Sequence, residues 1–260
     1  MRFPLTRLAA AALGSALLLA PAASPALAQG AAFNEQQKQA IGQIVREYLV
    51  KNPEVLQEAM AELERRQNEA QRVSQAKAVK DSRDILVNSP HAIVAGNPTG
   101  DVTLVEFFDY NCGYCKRALT DVQALSKADP KLRVVLKDFP VLGPDSVEAS
   151  QVSLAVKNQL QGEKLFAYHV KLMESRGRVN GERAKAVAKE MGVDVARLER
   201  DMQAPDVRQA LQTNVELGDK LGLTGTPAFI VGEEVISGAV GLEPLKMVVA
   251  NVRKCGKAEC

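Results

Sequence analysis

Residues Val102 to Phe108 read Val-Thr-Leu-Val-Glu-Phe-Phe. A strand that is apolar on both faces belongs inside a sheet with helices covering both sides. Directly behind it stand Cys112-Gly113-Tyr114-Cys115, then a helical pattern from Cys115 to about Lys127, then a second strand from Leu132 to Phe139. Strand, helix and strand in this order form a right-handed parallel unit. The chain is therefore expected to be α/β, with its cysteine pair where an internal strand hands over to a helix.

The remaining pattern extends this unit. From Asn88 to Gly100 the residues Pro90, Gly96, Pro98 and Gly100 mark a linker and loop. Between Pro144 and Leu221 every segment reads as helix, with breaks at Gly162, Gly177 and Gly192, a cap at Asp194 and a helix start at Pro205. Ala228 to Val231 and Val235 to Ser237 form a hairpin around Gly232, and Glu243 to Arg253 closes the chain as a helix. The order β-α-β, helical block, β-β-α predicts a thioredoxin-like fold over residues 89–260, with a helical subdomain inserted at about 144–221.

Residues 29–88 precede that domain as a helical arm. Asn34 and Gln37 have the spacing of a capping box. Ile41, Ile44, Val45, Tyr48 and Leu49 then share one helical face. Asn52-Pro53 opens a second helix, striped by Val55, Leu56, Ala59, Met60 and Leu63. From Glu64 to Asp84 the pattern turns polar. Such an apolar face must pack on its own domain or on another subunit. The solvated stretch separating it from the next core segment favours an oligomerisation arm.

Residues Met1 to Ala28 have the form of a cleavable export signal: Arg2 and Arg7, an apolar run from Leu8 to Ala20, and Ala26-Leu27-Ala28 at the cleavage point. A membrane anchor is the alternative, but the run is short for a spanning helix. Loss of Arg2 and Arg7 equalises the 33 basic and 31 acidic residues. A near-neutral mature chain lacks the basic excess of a sequence-independent nucleic-acid binder. Export places the cysteines in a compartment, the bacterial periplasm, where disulfides persist.

A thiol at a helix N-terminus ionises easily, and the thiolate is the species that attacks disulfides. Cys112, at the exposed helix edge, is thus the expected nucleophile, and Cys115, one turn inside, the resolving thiol. A structural disulfide between them would close too small a loop to stabilise much. Glu106 is the odd residue of its strand. Burial would raise its pKa, and a carboxyl six residues before Cys112 could take and return the proton of Cys115. Thr226-Pro227, after Gly225, is the other half of the expected site. A cis bond there would aim the Thr226 backbone at a substrate chain. Gly113, Tyr114 and Thr226 are the substrate-facing positions. Cys255 and Cys260 in the tail are expected to pair with each other. A four-thiolate zinc site joining them to Cys112 and Cys115 is the alternative, but the pairs are far apart in sequence and thiolates in an oxidising compartment hold zinc poorly. His91 and His169 are isolated, and His169 reads as structural. No cofactor or metal is expected.

The run Phe107-Phe108-Asp109-Tyr110-Asn111-Cys112-Gly113-Tyr114-Cys115-Lys116 resembles the DsbA family of bacterial thiol–disulfide oxidoreductases. So do Phe139-Pro140-Val141-Leu142-Gly143 and Gly225-Thr226-Pro227-Ala228-Phe229. The resemblance spans roughly Val102 to Arg253. It implies a thioredoxin domain with an inserted helical subdomain, Cys112 as nucleophile, Cys115 as resolving thiol, Glu106 as buried carboxyl and Thr226-Pro227 as a cis-proline loop. The arm segment Tyr48-Leu49-Val50-Lys51-Asn52-Pro53-Glu54 is similar to that of the ScsC-type branch, whose members can trimerise through such an arm. Gly113-Tyr114 and Thr226 stand where the prototype oxidase of the family has Pro-His and Val, and both choices resemble the disulfide isomerase DsbC. The expectation is an exported disulfide isomerase or reductase. It would act on misfolded or disulfide-bonded exported proteins, with a membrane thiol reductant as partner and no nucleic acid. A monomeric oxidase, recycled by a membrane oxidant, is the first alternative. A non-catalytic chaperone or Cu(I)-binding module is an alternative of another class.

Overall fold

The computed structural model describes residues 33–260. The export signal expected over Met1–Ala28 lies outside the described residues. The elements run α1 (Glu35–Lys51), α2 (Glu54–Asp81), α3 (Arg83–Asn88), β1 (Ile93–Gly96), β2 (Val102–Phe108), α4 (Gly113–Ala128), β3 (Leu132–Asp138), α5 (Pro144–Val156), α6 (Glu163–Met173), α7 (Gly181–Glu190), α8 (Val195–Met202), α9 (Pro205–Lys220), β4 (Ala228–Val231), β5 (Glu234–Ser237) and α10 (Leu242–Cys255). The chain forms two compact units, the first ending at Met60 and the second running from Ala61 to Cys260.

In the second unit the described strands form one sheet in the order β1-β3-β2-β4-β5. β2 and β3 are parallel, while β4 runs antiparallel on the other side of β2. β2 is therefore internal to the sheet, and with packed cores on both faces every β2 side chain but Thr103 is buried. Leu104 and Phe108 join the core beneath α4 and α10; Val105 and Phe107 join a second core with Leu217 and Leu221 of α9 and its following turn. The five helices α5 to α9 are inserted between β3 and β4. α5 is buried along most of its length and touches α7, α8 and α9. This is a mixed α/β thioredoxin-like fold with a helical insertion, as the element order predicts.

Two local expectations need correction. The stretch from Asn88 to Gly100 is not all linker, because Ile93–Gly96 pairs antiparallel with β3. Four residues bounded by Pro and Gly carry too little pattern to read as a strand; the partner strand supplies it. Gly96 serves that pairing, since its φ is +66° and a Cβ there would lie 2.6 Å from the Leu132 carbonyl oxygen. The polar stretch from Glu64 to Asp84 is not solvated to its end. Val79 and Ser82 are buried, and Val79 and Leu86 pack in the second core with Val105 and Phe107.

In the first unit Asn34 and Gln37 form the full reciprocal capping box at the start of α1. The Asn52 side chain does not cap α2: its amide donates to the Tyr48 carbonyl at 2.8 Å and closes α1, while the Asn52 carbonyl accepts the Val55 N–H at 3.2 Å as α2 begins. No residue of α1 is buried. Among the described residues no helix is long and apolar enough to cross a membrane.

Candidate functional site

The end of β2 delivers the chain to a tight turn. The Cys112 N–H donates to the Asp109 carbonyl at 3.0 Å, and the Cys112 carbonyl accepts from the Lys116 N–H at 3.1 Å. Cys112 is thus the N-cap of α4, and the helix begins at Gly113, two residues before the expected Cys115. The Cys112 side chain caps nothing in the helix. Its Sγ lies 3.2 Å from the Thr226 carbonyl oxygen and donates to it. That contact covers the thiol more than expected: Cys112 retains 6% exposure, against none for Cys115. Neither is in a disulfide in this structure.

Thr226-Pro227 is a cis peptide just ahead of β4. The Pro227 carbonyl accepts from the Gly238 N–H at 2.8 Å, which ties the loop to the end of β5. Tyr114 stands 59% exposed beside the thiol, with the Arg117 guanidinium 4.3 Å above its ring. Gly113 is exposed, and a side chain there would meet open space.

Glu106 shares its sheet face with Leu104 and Phe108, under α4, and is buried with them. The alternative of an edge position in water does not apply to a strand with neighbours on both sides. Burial alone pushes the Glu106 carboxyl up to about 8. The Cys115 thiol is pushed well above its ordinary range, first by burial and then by the nearby Glu106 charge. The Asp109 backbone N–H and the Thr226 hydroxyl act the other way, as donors to Cys115. A buried thiol that holds its proton thus lies near enough to feel the charge of a carboxyl that ionises near neutrality. Such a pair can pass one proton back and forth while the sulfur changes bonding partner.

The other singled-out residues lie elsewhere. Cys255 and Cys260 are disulfide-bonded, with Cα atoms 6.3 Å apart, so they are not thiolates for a four-cysteine zinc site. They sit by Gly232, at the end of β4 opposite Thr226. His169 is buried among Phe108, Tyr110 and Phe166, and burial lowers its pKa to about 3. His91 lies 3.7 Å from Asp206, with no reactive cysteine in that contact.

Asp109, Asn111 and Lys137 have no role predicted from the sequence, yet all three lie within the folded domain's polar contacts. Asp109 is fully buried and accepts the N–H groups of Val141 and Leu142 at 2.9 and 3.0 Å. A charge wedged between an apolar strand and the cysteines was the available signal. Lys137 is buried on β3, and burial lowers its pKa to about 8. It faces Asn214 of α9, so it belongs to the second core.

Residues 103–250 match the family model described as a DSBA-like thioredoxin domain, and residues 37–70 match that of the copper resistance protein ScsC N-terminal domain. Among solved structures, a thioredoxin-like oxidoreductase from Silicibacter pomeroyi DSS-3 is 43% identical, with a TM-score of 0.63, over 66% of this chain and 98% of that one. Proteus mirabilis ScsC in a transitional conformation is 29% identical, with a TM-score of 0.62, over 85% of this chain and 99% of that one. A periplasmic thioredoxin-like protein from Salmonella enterica serovar Typhimurium is 29% identical, with a TM-score of 0.59, over 66% of this chain and 95% of that one. No curated protein matches.

Proposed function

Since the chain belongs to the DsbA-like thioredoxin family, as an ScsC-like thiol–disulfide oxidoreductase, we propose that it is a periplasmic disulfide isomerase or reductase working through Cys112 and Cys115. The observation that carries this reading is the stacking of three groups: Cys112 at the mouth of the site, Cys115 buried one turn below, and Glu106 buried within reach of its charge.

Cys112 Sγ attacks one sulfur of a wrong disulfide in an exported protein. A mixed disulfide forms, and the other client sulfur leaves as a thiolate. In isomerisation a client thiolate attacks the mixed disulfide and releases Cys112, with no net oxidation. In reduction Cys115 gives its proton to Glu106 and attacks Cys112 Sγ. The client then leaves with two reduced sulfurs, and Cys112 and Cys115 are oxidised to a disulfide. The Thr226 backbone, beside Cys112, offers strand-like hydrogen bonds to the client chain, and Gly113 and Tyr114 face it. The reduced state is restored by a membrane thiol reductant. Periplasmic placement is supported by the signal-like N-terminus and by the periplasmic Salmonella relative.

The arm works as an oligomerisation device, matching the ScsC N-terminal model. Several sites around one client raise the local concentration of attacking thiols.

Reactivation of scrambled ribonuclease, joined to thiol trapping in cells, tests this reading. Wild-type protein should reactivate the enzyme and be trapped mainly reduced, and Cys112→Ser should abolish reactivation. A fully disulfide-bonded pair in cells replaces this reading with the oxidase one. Reactivation that survives Cys112→Ser replaces it with a chaperone.

A further inference from the structure

The turn after α9 runs from Leu221 to Thr226 and so leads directly into the site. The Leu221 carbonyl stands at the end of α9, where helix carbonyls lack a partner from their own helix. Among the described residues no main-chain N–H donates to it. The donor comes from α2 instead. The half-buried Gln75 side chain gives an N–H of Nε2 to the Leu221 oxygen at 3.0 Å, across 146 positions of the chain. Gly222, the next residue, has a φ of +64°, and a Cβ there would lie 3.7 Å from Gln75 Nε2. The turn thus passes close under the amide.

Two further contacts fasten α2 around the same loop. Val79, one turn after Gln75, is buried in the core that holds Leu221, Leu223 and Ala228. Arg72, nearly one turn before Gln75, pairs with Glu234 of β5 at 3.6 Å. The hairpin of β4 and β5 is the chain that leaves Pro227. α2 therefore holds both the segment that enters Thr226-Pro227 and the hairpin that leaves it. Val79 is the one residue that α2 itself buries. With so little packing, the Gln75 hydrogen bond is a main attachment of the helix to the turn.

We propose that Gln75 is a positioning residue for thiol–disulfide exchange: by holding the Leu221 turn it keeps the Thr226 carbonyl over Cys112 and the Thr226 backbone aligned for the client chain. The second half rests on the client reading above. The Thr226 carbonyl oxygen lies 3.2 Å from Cys112 Sγ and helps to leave that residue only 6% exposed. A turn freed of its anchor lets this carbonyl drift, with two consequences of opposite sign. A small alkylating reagent reaches Sγ more readily. A client chain, which needs the Thr226 main chain in register, is held less well. Loss of one hydrogen bond of this kind is worth about a fivefold change.

Gln75→Met keeps the length of the side chain and removes its donor. In the reduced full-length protein, iodoacetamide should modify Cys112 about fivefold faster than in the wild type, read by peptide mass. The KM for scrambled ribonuclease should rise about fivefold, with kcat held within about twofold. Gln75→Lys returns an N–H donor, and a positive charge, to the carbonyl at the end of α9, and should restore both values. A fall in kcat at constant KM, the mark of partial unfolding, overturns the positioning role. So does an unchanged alkylation rate in Gln75→Met, or a Gln75→Lys variant that behaves like Gln75→Met; the client reading survives each of these. Wild-type protein inert toward scrambled ribonuclease overturns the client reading, while faster alkylation of Gln75→Met still assigns Gln75 to the cover over Cys112.

Discussion

At neutral pH most molecules carry Glu106 protonated, because burial moves its ionisation from the ordinary 4.5 up to about 8. Between those two values the folded chain holds a proton that the unfolded chain has released. Stability from this residue is therefore fully present below about pH 4.5, falls as pH rises through the window, and levels off above pH 8. Glu106→Gln keeps the volume and removes the titration. It should raise stability by about 3 kcal/mol at pH 7 and by little at pH 4. Denaturant unfolding of both proteins from pH 4 to 9 checks this. The same variant should lose the proton acceptor for Cys115 and slow the resolving step about tenfold to a hundredfold. Equal resolving rates at every pH would reject the proton-transfer role. Asp138, also buried and raised to about 7, adds its own pH dependence, which the comparison between the two proteins cancels.

At the scale of elements, the insertion is fastened to the sheet by close packing as well as by hydrogen bonds. α9 passes so near β3 and the segment after it that a Cβ on Gly218 would sit 2.4 Å from the Phe139 ring. That ring cannot swing away: it is buried and stands edge-on to Phe107 at 5.8 Å between centroids. Gly218→Ala should therefore destabilise by about 1–3 kcal/mol, despite alanine's better helix propensity. Thermal unfolding decides, and an unchanged or raised melting temperature would show that α9 can move aside. Beneath the insertion the Tyr110 hydroxyl lies 2.8 Å from Ser153 of α5 and 3.2 Å from His169 of α6. The residue two places before Cys112 is thus tied to two inserted helices. The insertion supports the cysteine turn through Tyr110, Asn111 and Ser146.

For the whole molecule, the open question of assembly turns on the arm. Ile44, Tyr48, Leu56 and Met60 remain half or more exposed in a single chain, at 66%, 56%, 50% and 71%. Large aliphatic and aromatic side chains repeated on helices at this level are the apolar surface that the proposed oligomerisation would cover. Charging it with Ile44→Glu and Leu56→Glu should convert an oligomer to single chains in sedimentation velocity. Ribonuclease reactivation should drop several-fold for each site, because neighbouring sites no longer raise the local thiol concentration. Wild-type protein that already sediments as one chain removes the arm from the mechanism. Deletion is the poorer test, since a cut near Asn88 would also strip Val79 and Leu86 from the second core.

Local chemistry and periodicity carried much of this protein into view. The doubly apolar strand, the cysteine pair behind it, the capping box at Asn34 and the positions of the inserted helices depend on neighbours within a few residues, which a linear reading can see. Other features exist only because distant segments meet. Strand β1 has too few residues to declare itself and forms because β3 offers an edge. The covering of Cys112 comes from a carbonyl 114 positions away. Val79 loses its solvent to a sheet face that its own polar helix gives no hint of. Asp109 looked like one charge in a motif until folding brought Val141, Leu142 and Ser146 to its two oxygens. Propensity and pattern act along the chain; burial and the pairing of polar atoms are settled by what the fold brings alongside.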